Sequence, residues 1–305
     1  MRRKATRAAG SRRRLWLGLA FASPWLLGFV ALVAGPILAS GYYSFTDFNL
    51  FQSPTNVGFA NYQELLHDER FGQALANTLI LTVVGVPVSL MLALLLALAL
   101  NLRVRGMPFY RAVVYLPTIV PIVVTTYVWR WLLNAQYGWI NRLLGLVGLP
   151  QPSWLEDPAF TKPAVILIGL WTVGGTTVIY LAALKNVPQE TYEAAAMDGA
   201  GPWQKFRAVT WPALSPVTLF QLIVGVIASL QLFTQPYLLA QNRLNGAAGG
   251  PDDSLLTYGM YVFQNAFVFL KMGYASALAW VLFLITMAVS AGLLLTSRRW
   301  VHYGN

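Results

Sequence analysis

Glu193-Ala194-Ala195-Ala196-Met197-Asp198-Gly199 runs on through Gly201-Pro202-Trp203-Gln204-Lys205-Phe206 to Thr210-Trp211-Pro212. It is the long polar-and-small stretch between two strongly apolar runs that also has helical spacing. Pro188 suits a first helical turn, where its missing N–H costs nothing. Tyr192, Ala195, Ala196 and Gly199 then fall at i, i+3, i+4 and i+7, one helical face. Gly199 and Gly201 are expected to end that helix, because glycine takes the left-handed conformation cheaply. Pro202 opens a second short helix with Trp203 and Phe206 on one side, and Pro212 and Pro216 are expected to end it. The product is a helix–turn–helix with small residues on one face and aromatics on the next. Small residues let another backbone approach, which makes a docking knob; an ordinary amphipathic connector between two membrane helices has the same pattern.

Working outward, the 305 residues are 57% hydrophobic and only 10% charged. A soluble domain carries about 25% charged residues, so the composition describes a polytopic membrane protein. There is no cysteine, which excludes disulfides and thiolate metal sites. His67 and His302 lie far apart with no carboxylate pattern beside them, so no metal site is expected. The net charge of +10 does not point to nucleic acid. Arg2, Arg3, Lys4, Arg7, Arg12, Arg13 and Arg14 precede the first apolar run, where they act as an orientation signal for a membrane helix and can meet anionic lipid.

Residues 15–40 carry no charge and form the first expected span, since about 20 apolar residues cross a bilayer. A cleaved signal peptide or a twin-arginine signal is the rival, but such signals use about 7–15 apolar residues. Residues 41–73 are polar and acidic, an external segment. Further spans are expected at 74–100, at 109–133 with kinks at Pro117 and Pro121, and at 164–184. The last carries Gly174-Gly175-Thr176-Thr177 at mid-depth, suited either to close helix packing or to a pathway lining. After the loop at 186–216 a fifth span, 217–239, holds Gln221, Ser229, Gln231, Thr234 and Gln235. Polar side chains at that depth face a bundle interior or a wet cavity. Gln231, Thr234 and Gln235 share a face at i, i+3 and i+4; Ser229 is about 200° from Gln231 on a regular helix. Residues 254–270 are too short and too polar for a seventh span, and 274–296 make the sixth.

Six spans with both termini cytoplasmic leave only Arg70, Arg130, Arg142, Lys162, Arg243 and Lys271 of the 21 Lys/Arg outside, and only Glu190, Glu193 and Asp198 of the 11 acids inside. That is the positive-inside distribution. The organisation is then a basic N-terminus (1–14), a first helix (15–40), an external segment (41–73), a five-span core (74–297) and a short tail (298–305).

The run Glu-Ala-Ala, three residues, Gly, then a Pro some way on resembles the EAA loop of ABC importer membrane subunits, most closely carbohydrate-uptake permeases of the maltose-transporter type. Val57-Gly58-Phe59-Ala60-Asn61-Tyr62, Gly249-Gly250-Pro251 and Met272-Gly273-Tyr274-Ala275 resemble the same family. The resemblance covers about residues 20–303 and implies an all-α type I importer permease in a bacterial or archaeal plasma membrane. In that family the loop is cytoplasmic and seats in a groove of the ATPase subunit. Glu193, Ala194, Ala195, Asp198, Gly199, Gly201 and Pro212 are then the coupling residues. Trp211 stands where the family usually has Leu. The family's fifth-span helix supplies asparagine-rich sugar contacts; this chain has Ser229 and Gln231 in that stretch, and with Thr234, Gln235, Gly175 and Thr176 they are the pathway candidates.

The partners so implied are a second, different permease, two ATPase subunits, an extracytoplasmic solute-binding protein and a carbohydrate: oligosaccharide, monosaccharide or glycerol phosphate. The chain itself has no Walker A run to cradle phosphates, and no HExxH or Gly-x-Ser-x-Gly pattern. ATP and magnesium are therefore expected on the partner subunits, with no cofactor and no catalytic residue here. The rival classes are a secondary transporter or channel, which would show intramembrane acids or inverted repeats, and a membrane scaffold.

Overall fold

The computed structural model describes residues 2–102, 104–240 and 249–302, with side chains from Trp16 onward. The basic side chains of residues 2–14, and Arg103 and Arg243, all part of the charge ledger, lie outside the described residues.

Among the described residues four helices are long and apolar enough to cross a membrane: Trp16–Tyr43, Glu69–Leu100, Pro202–Ala240 and Met272–Ser297. Two further spans are broken. Met107–Ile119 and Ile122–Leu132 meet at 100°, and Pro158–Trp171 and Gly174–Lys185 at 48°. Counting each pair as one gives six. The third is far more than the kinked rod expected at 109–133. Pro121, with φ −55° and ψ 138°, stands just ahead of Ile122; proline lacks an amide donor and pushes the residue before it out of the helical region. The fourth starts earlier than expected, at Pro158, with the Asp157 carboxylate accepting from the Ala159 amide.

Five other prolines are absorbed without ending a helix. The π-turns Val30–Ala34, Leu81–Gly85 and Phe206–Thr210 are each centred four residues before Pro36, Pro87 and Pro212. A proline ring clashes with the carbonyl four residues back, and a locally wider turn relieves the clash. At Pro24 and Pro216 the device differs. The preceding serine donates to the orphaned carbonyl: Ser23 to Ala20 at 2.8 Å, Ser215 to Pro212 at 2.7 Å. Serine hydroxyls re-satisfy freed backbone groups in this way. This corrects the expected helix end at Pro212 and Pro216: the helix begun at Pro202 passes through a π-turn and continues as Trp211–Leu230.

The expected external segment is folded. Thr46–Asp47 pairs antiparallel with Thr55–Asn56. Asn61, nearly buried, donates to the carbonyls of Ser44 and Thr46 at 2.8 and 3.0 Å, and the Tyr62 hydroxyl donates to Ser44 Oγ at 2.9 Å. Gly273 packs so close that a Cβ would overlap the Thr46 carbonyl. Asp68 caps the second span through the amides of Arg70 and Phe71, and its other oxygen accepts from the hydroxyls of Tyr261 and Tyr274. Arg70 pairs with both carboxylate oxygens of Asp253 at 3.0 and 3.2 Å.

Residues 254–270 do not span. Tyr258–Phe263 and the π-turn Gln264–Val268 form a short element, buried over most of its length. Eleven helical residues reach about 16 Å, half a bilayer core. Tyr258 and Met260 from this element, with Leu255 and Leu256 just ahead of it, join Ala74, Ala164 and Ile168 in the main core, while a second cluster gathers Ala93, Ala97, Tyr180, Leu184 and Leu214. The first helix stands apart. Its apolar window is unburied in this chain, and it meets the last span where Gly41 lies against Trp280 and the Trp280 indole donates to Ser40 Oγ at 3.1 Å.

Candidate coupling and translocation sites

The Glu-Ala-Ala run forms the helix Gln189–Met197, with Pro188 just ahead of it. Its end is a Schellman motif. The Ala200 amide donates to Ala195 O and the Gly199 amide to Ala196 O, both at 3.0 Å, with Gly199 at φ +78°. Gly201 then leads into Pro202–Lys205, its amide donating to Gln204 Oε1 at 2.7 Å. The knob is tied to the fifth span by a 3.0 Å hydrogen bond between Tyr192 and Thr210 and by the run of rings Trp203, Phe206 and Trp211. Glu193, Ala194, Asp198 and Gly199 are exposed, and Ala195 and Gly201 half-buried. Met197 is 89% exposed and Trp203 71%. Pro212, expected to close the knob, belongs instead to the helix of the fifth span.

A cavity of about 300 Å³ lies between the second span, Pro158–Trp171 and Trp211–Leu230. Its walls are mainly apolar, among them Val86, Val165 and Ile166, and its polar groups are Ser89, Thr176, Gln221, Ser229 and Gln235. Ser229 Oγ is 2.9 Å from Thr82 Oγ1. Gln221 and Gln235 are each 7% exposed. Buried amides are normally hydrogen-bonded, and two that face a cavity are available to a polar solute.

Of the six pathway candidates the structure brings Ser229, Gln235 and Thr176 to this cavity and leaves Gln231, Thr234 and Gly175 out. The shared face of Gln231, Thr234 and Gln235 does not exist, because the helix ends at Leu230 and resumes at Thr234. Thr257, just ahead of the helix Tyr258–Phe263, donates to the Leu232 carbonyl at 2.7 Å and satisfies it at the break. The Gln231 side chain is exposed. A Cβ at Gly175 would meet the Thr118 methyl, and one at Gly174 would overlap the Val114 carbonyl, so this glycine pair serves helix packing. Gln221, not among those candidates, also lines the cavity. The signal was present: Gln221, Gly225, Ala228 and Ser229 recur at i, i+4, i+7 and i+8.

A family model, binding-protein-dependent transport system inner membrane component, matches residues 57–300, from the second span to the sixth with the exposed knob inside it. The chain belongs to that family. Among curated relatives, the probable ABC transporter permease protein YesP of Bacillus subtilis (strain 168) is 38% identical, the alignment covering 94% of this chain and 92% of YesP. The diacetylchitobiose uptake system permease protein NgcF of Streptomyces coelicolor (strain ATCC BAA-471 / A3(2) / M145) is 33% identical over 93% of this chain and 83% of its own length. A bacterial alginate ABC transporter, solved in complex with an alginate pentasaccharide-bound periplasmic protein, has a chain that superposes with a TM-score of 0.81 at 23% identity, covering 97% of this chain and 99% of that one. At that identity the likeness establishes the fold, a type I importer permease. For this permease family member the first helix, Trp16–Tyr43, lies outside the matched residues.

Proposed function

We propose that this permease carries a carbohydrate, handed to it by an extracytoplasmic binding protein, across a bacterial or archaeal plasma membrane. It pairs with a second, different permease and with two ATPase subunits that bind ATP and magnesium. The observation carrying this reading is the knob: a glycine-capped helix with an exposed small-residue face and the exposed Met197 and Trp203 beside it. Apolar side chains so exposed mark interaction surfaces. The knob continues into Trp211–Leu230, whose Gln221 and Ser229 line the mid-membrane cavity. A push on one end therefore reaches the other through continuous helix. The substrate class is supported by the diacetylchitobiose relative and by the cavity, whose uncharged, mainly apolar wall carries a few hydrogen-bonding side chains.

Gly199→Asp tests it. A branched carboxylate at φ +78° strains the turn and stands where the partner approaches. The expected outcome is loss of co-purifying ATPase subunits and of sugar uptake, while Glu193→Ala keeps partial activity, since an exposed pair is worth about 0–1 kcal/mol. Normal ATPase retention and uptake in Gly199→Asp would sink the coupling assignment.

A further inference from the structure

A second cavity, of about 340 Å³, opens at the end of the third span, on the external side by the charge ledger. That size lies within the range of about 300–1,000 Å³ typical of small-molecule sites. Tyr127, Arg130, Trp131, Asn134, Tyr137 and Glu156 line it. The three rings are half exposed.

The site is built rather than incidental. Asn134 Oδ1 accepts from the amides of Gln136 and Tyr137 at 2.9 and 3.1 Å, and Asn134 O from the amide of Gly138 at 3.0 Å. A Cβ at Gly138 would overlap the carbonyls of Leu132 and Asn134, so only glycine closes this turn. The turn carries Tyr137 to the cavity wall and leaves Asn134 Nδ2 as a spare donor. The loop beyond is pinned by Asn141, 2% exposed, which donates to Pro152 O at 3.0 Å and accepts from the Trp154 indole at 2.8 Å. Arg130 donates to Leu238 O at 3.3 Å, joining this wall to the short helix that carries Gln235.

We infer that this cavity is an entry subsite for one uncharged pyranose ring, occupied before the mid-membrane cavity; the inference rests on the carbohydrate reading above. Aromatic rings with exposed faces offer wide, rigid, amphipathic contact area, which suits the C–H face of a sugar. Trp131 and Tyr137 are the stacking platforms. Asn134 Nδ2 donates to a ring hydroxyl and Glu156 accepts from one. Among the described lining residues one cation and one carboxylate balance, so an anionic sugar gains little from them. Among the described residues the mid-membrane cavity has no aromatic wall: it slides a sugar along, whereas this one holds it.

The test uses the assembled transporter in lipid nanodiscs, with methyl β-D-glucopyranoside as neutral probe and methyl β-D-glucuronide as acidic probe. Saturation-transfer NMR should show transfer to the ring C–H protons of the neutral probe and weaker transfer to the acidic one. Trp131→Ala/Tyr137→Ala should lower the neutral signal about tenfold, as loss of two ring contacts implies, and Trp131→Phe should keep most of it. In proteoliposomes supplied with the transporter's own binding protein, uptake of labelled N,N′-diacetylchitobiose, lactose, glucose and any sugar that this binding protein retains is measured in parallel; for whichever is carried, the double variant should raise KM more than it lowers kcat. No signal in wild type, or equal signals in wild type and the double variant, overturns the subsite. Uptake with an unchanged KM in the double variant also overturns it while leaving the carbohydrate reading intact. Absence of any sugar uptake by wild type overturns the carbohydrate reading itself.

Discussion

A methyl group added at Gly199 would touch nothing in this chain, yet the backbone there is left-handed, at φ +78°. Strain and docking are therefore separable at one residue. Strain acts on the chain alone, and the open space is filled only by a partner. Asp68 is the converse, a residue satisfied entirely from within. Burial opposes its ionisation, but the hydroxyls of Tyr261 and Tyr274 and the amides of Phe71 and Arg70 outweigh that and hold its carboxyl below its usual 3.8. A depressed carboxyl contributes stability that is fully present above the unfolded value and is lost as pH falls through the folded one. Wild type in detergent should thus lose Tm below pH 3.8, and Asp68→Asn should start with a lower Tm at neutral pH and fall less over that acid limb. Parallel curves for the two proteins would refute the linkage. In the cavity, Gln221→Leu should reduce uptake with assembly intact, because it removes a buried amide facing the pathway. Gln231→Leu, on the exposed break, should leave uptake unchanged; the reverse pattern would move the pathway to the other face.

At the level of elements, the prolines decide how the knob is joined to the span. Pro212 is accommodated by the π-turn Phe206–Thr210, and such turns are frequent at functional sites. One extra residue in the turn rotates everything before it by about 100° relative to the span. Pro212→Ala removes the clash that favours the wide turn. The expected result is a folded, assembled transporter that hydrolyses more ATP per sugar moved, because the knob's face has turned away from its seat. An unchanged ratio of ATPase to uptake would show that the π-turn plays no part in coupling. Ser215 is a different element-level part. It donates to Pro212 O and accepts from the amide of His302, fastening the tail to the fifth span. Its loss would leave the half-buried Pro212 carbonyl unpaired, which costs less than the roughly 1–3 kcal/mol of a fully buried group.

For the whole molecule the testable property is sidedness. The cysteine-free chain accepts single reporters cleanly. Gln52 and Gln136 are exposed on the side carrying the folded external segment, and Gln204 is exposed in the knob. An impermeant thiol reagent applied to intact cells should label cysteines at 52 and 136 and spare 204. Labelling of 204 from outside would invert the topology and separate the knob from any cytoplasmic ATPase. The first helix, unburied and outside the family match, carries no part of either site and is expected to lie against lipid or a partner chain.

Composition and local pattern were enough for the class, the number of spans and the knob. Charge is scarce, apolar runs are long, and a helix ended by glycine needs only its own backbone to form, so Gln189–Met197 and the turn at Gly199 were legible before any contact was known. Asn61 and Gly273 were legible as part of a family pattern but not as what they are: a clamp on two carbonyls, and a seat for a strand. The cavities were not legible in the same way. Helical spacing presumes an unbroken helix, but the helix breaks after Leu230: Pro236 has no amide to offer the Leu232 carbonyl four residues back, and Thr257, 25 residues beyond Leu232, takes that carbonyl instead. Whether a proline ends a helix, widens it or hides behind a serine depends on which neighbour relieves the carbonyl four residues back. Local spacing sets which residues share a face only while the helix lasts; long-range hydrogen bonds set where it lasts, and so which glutamines meet across a cavity.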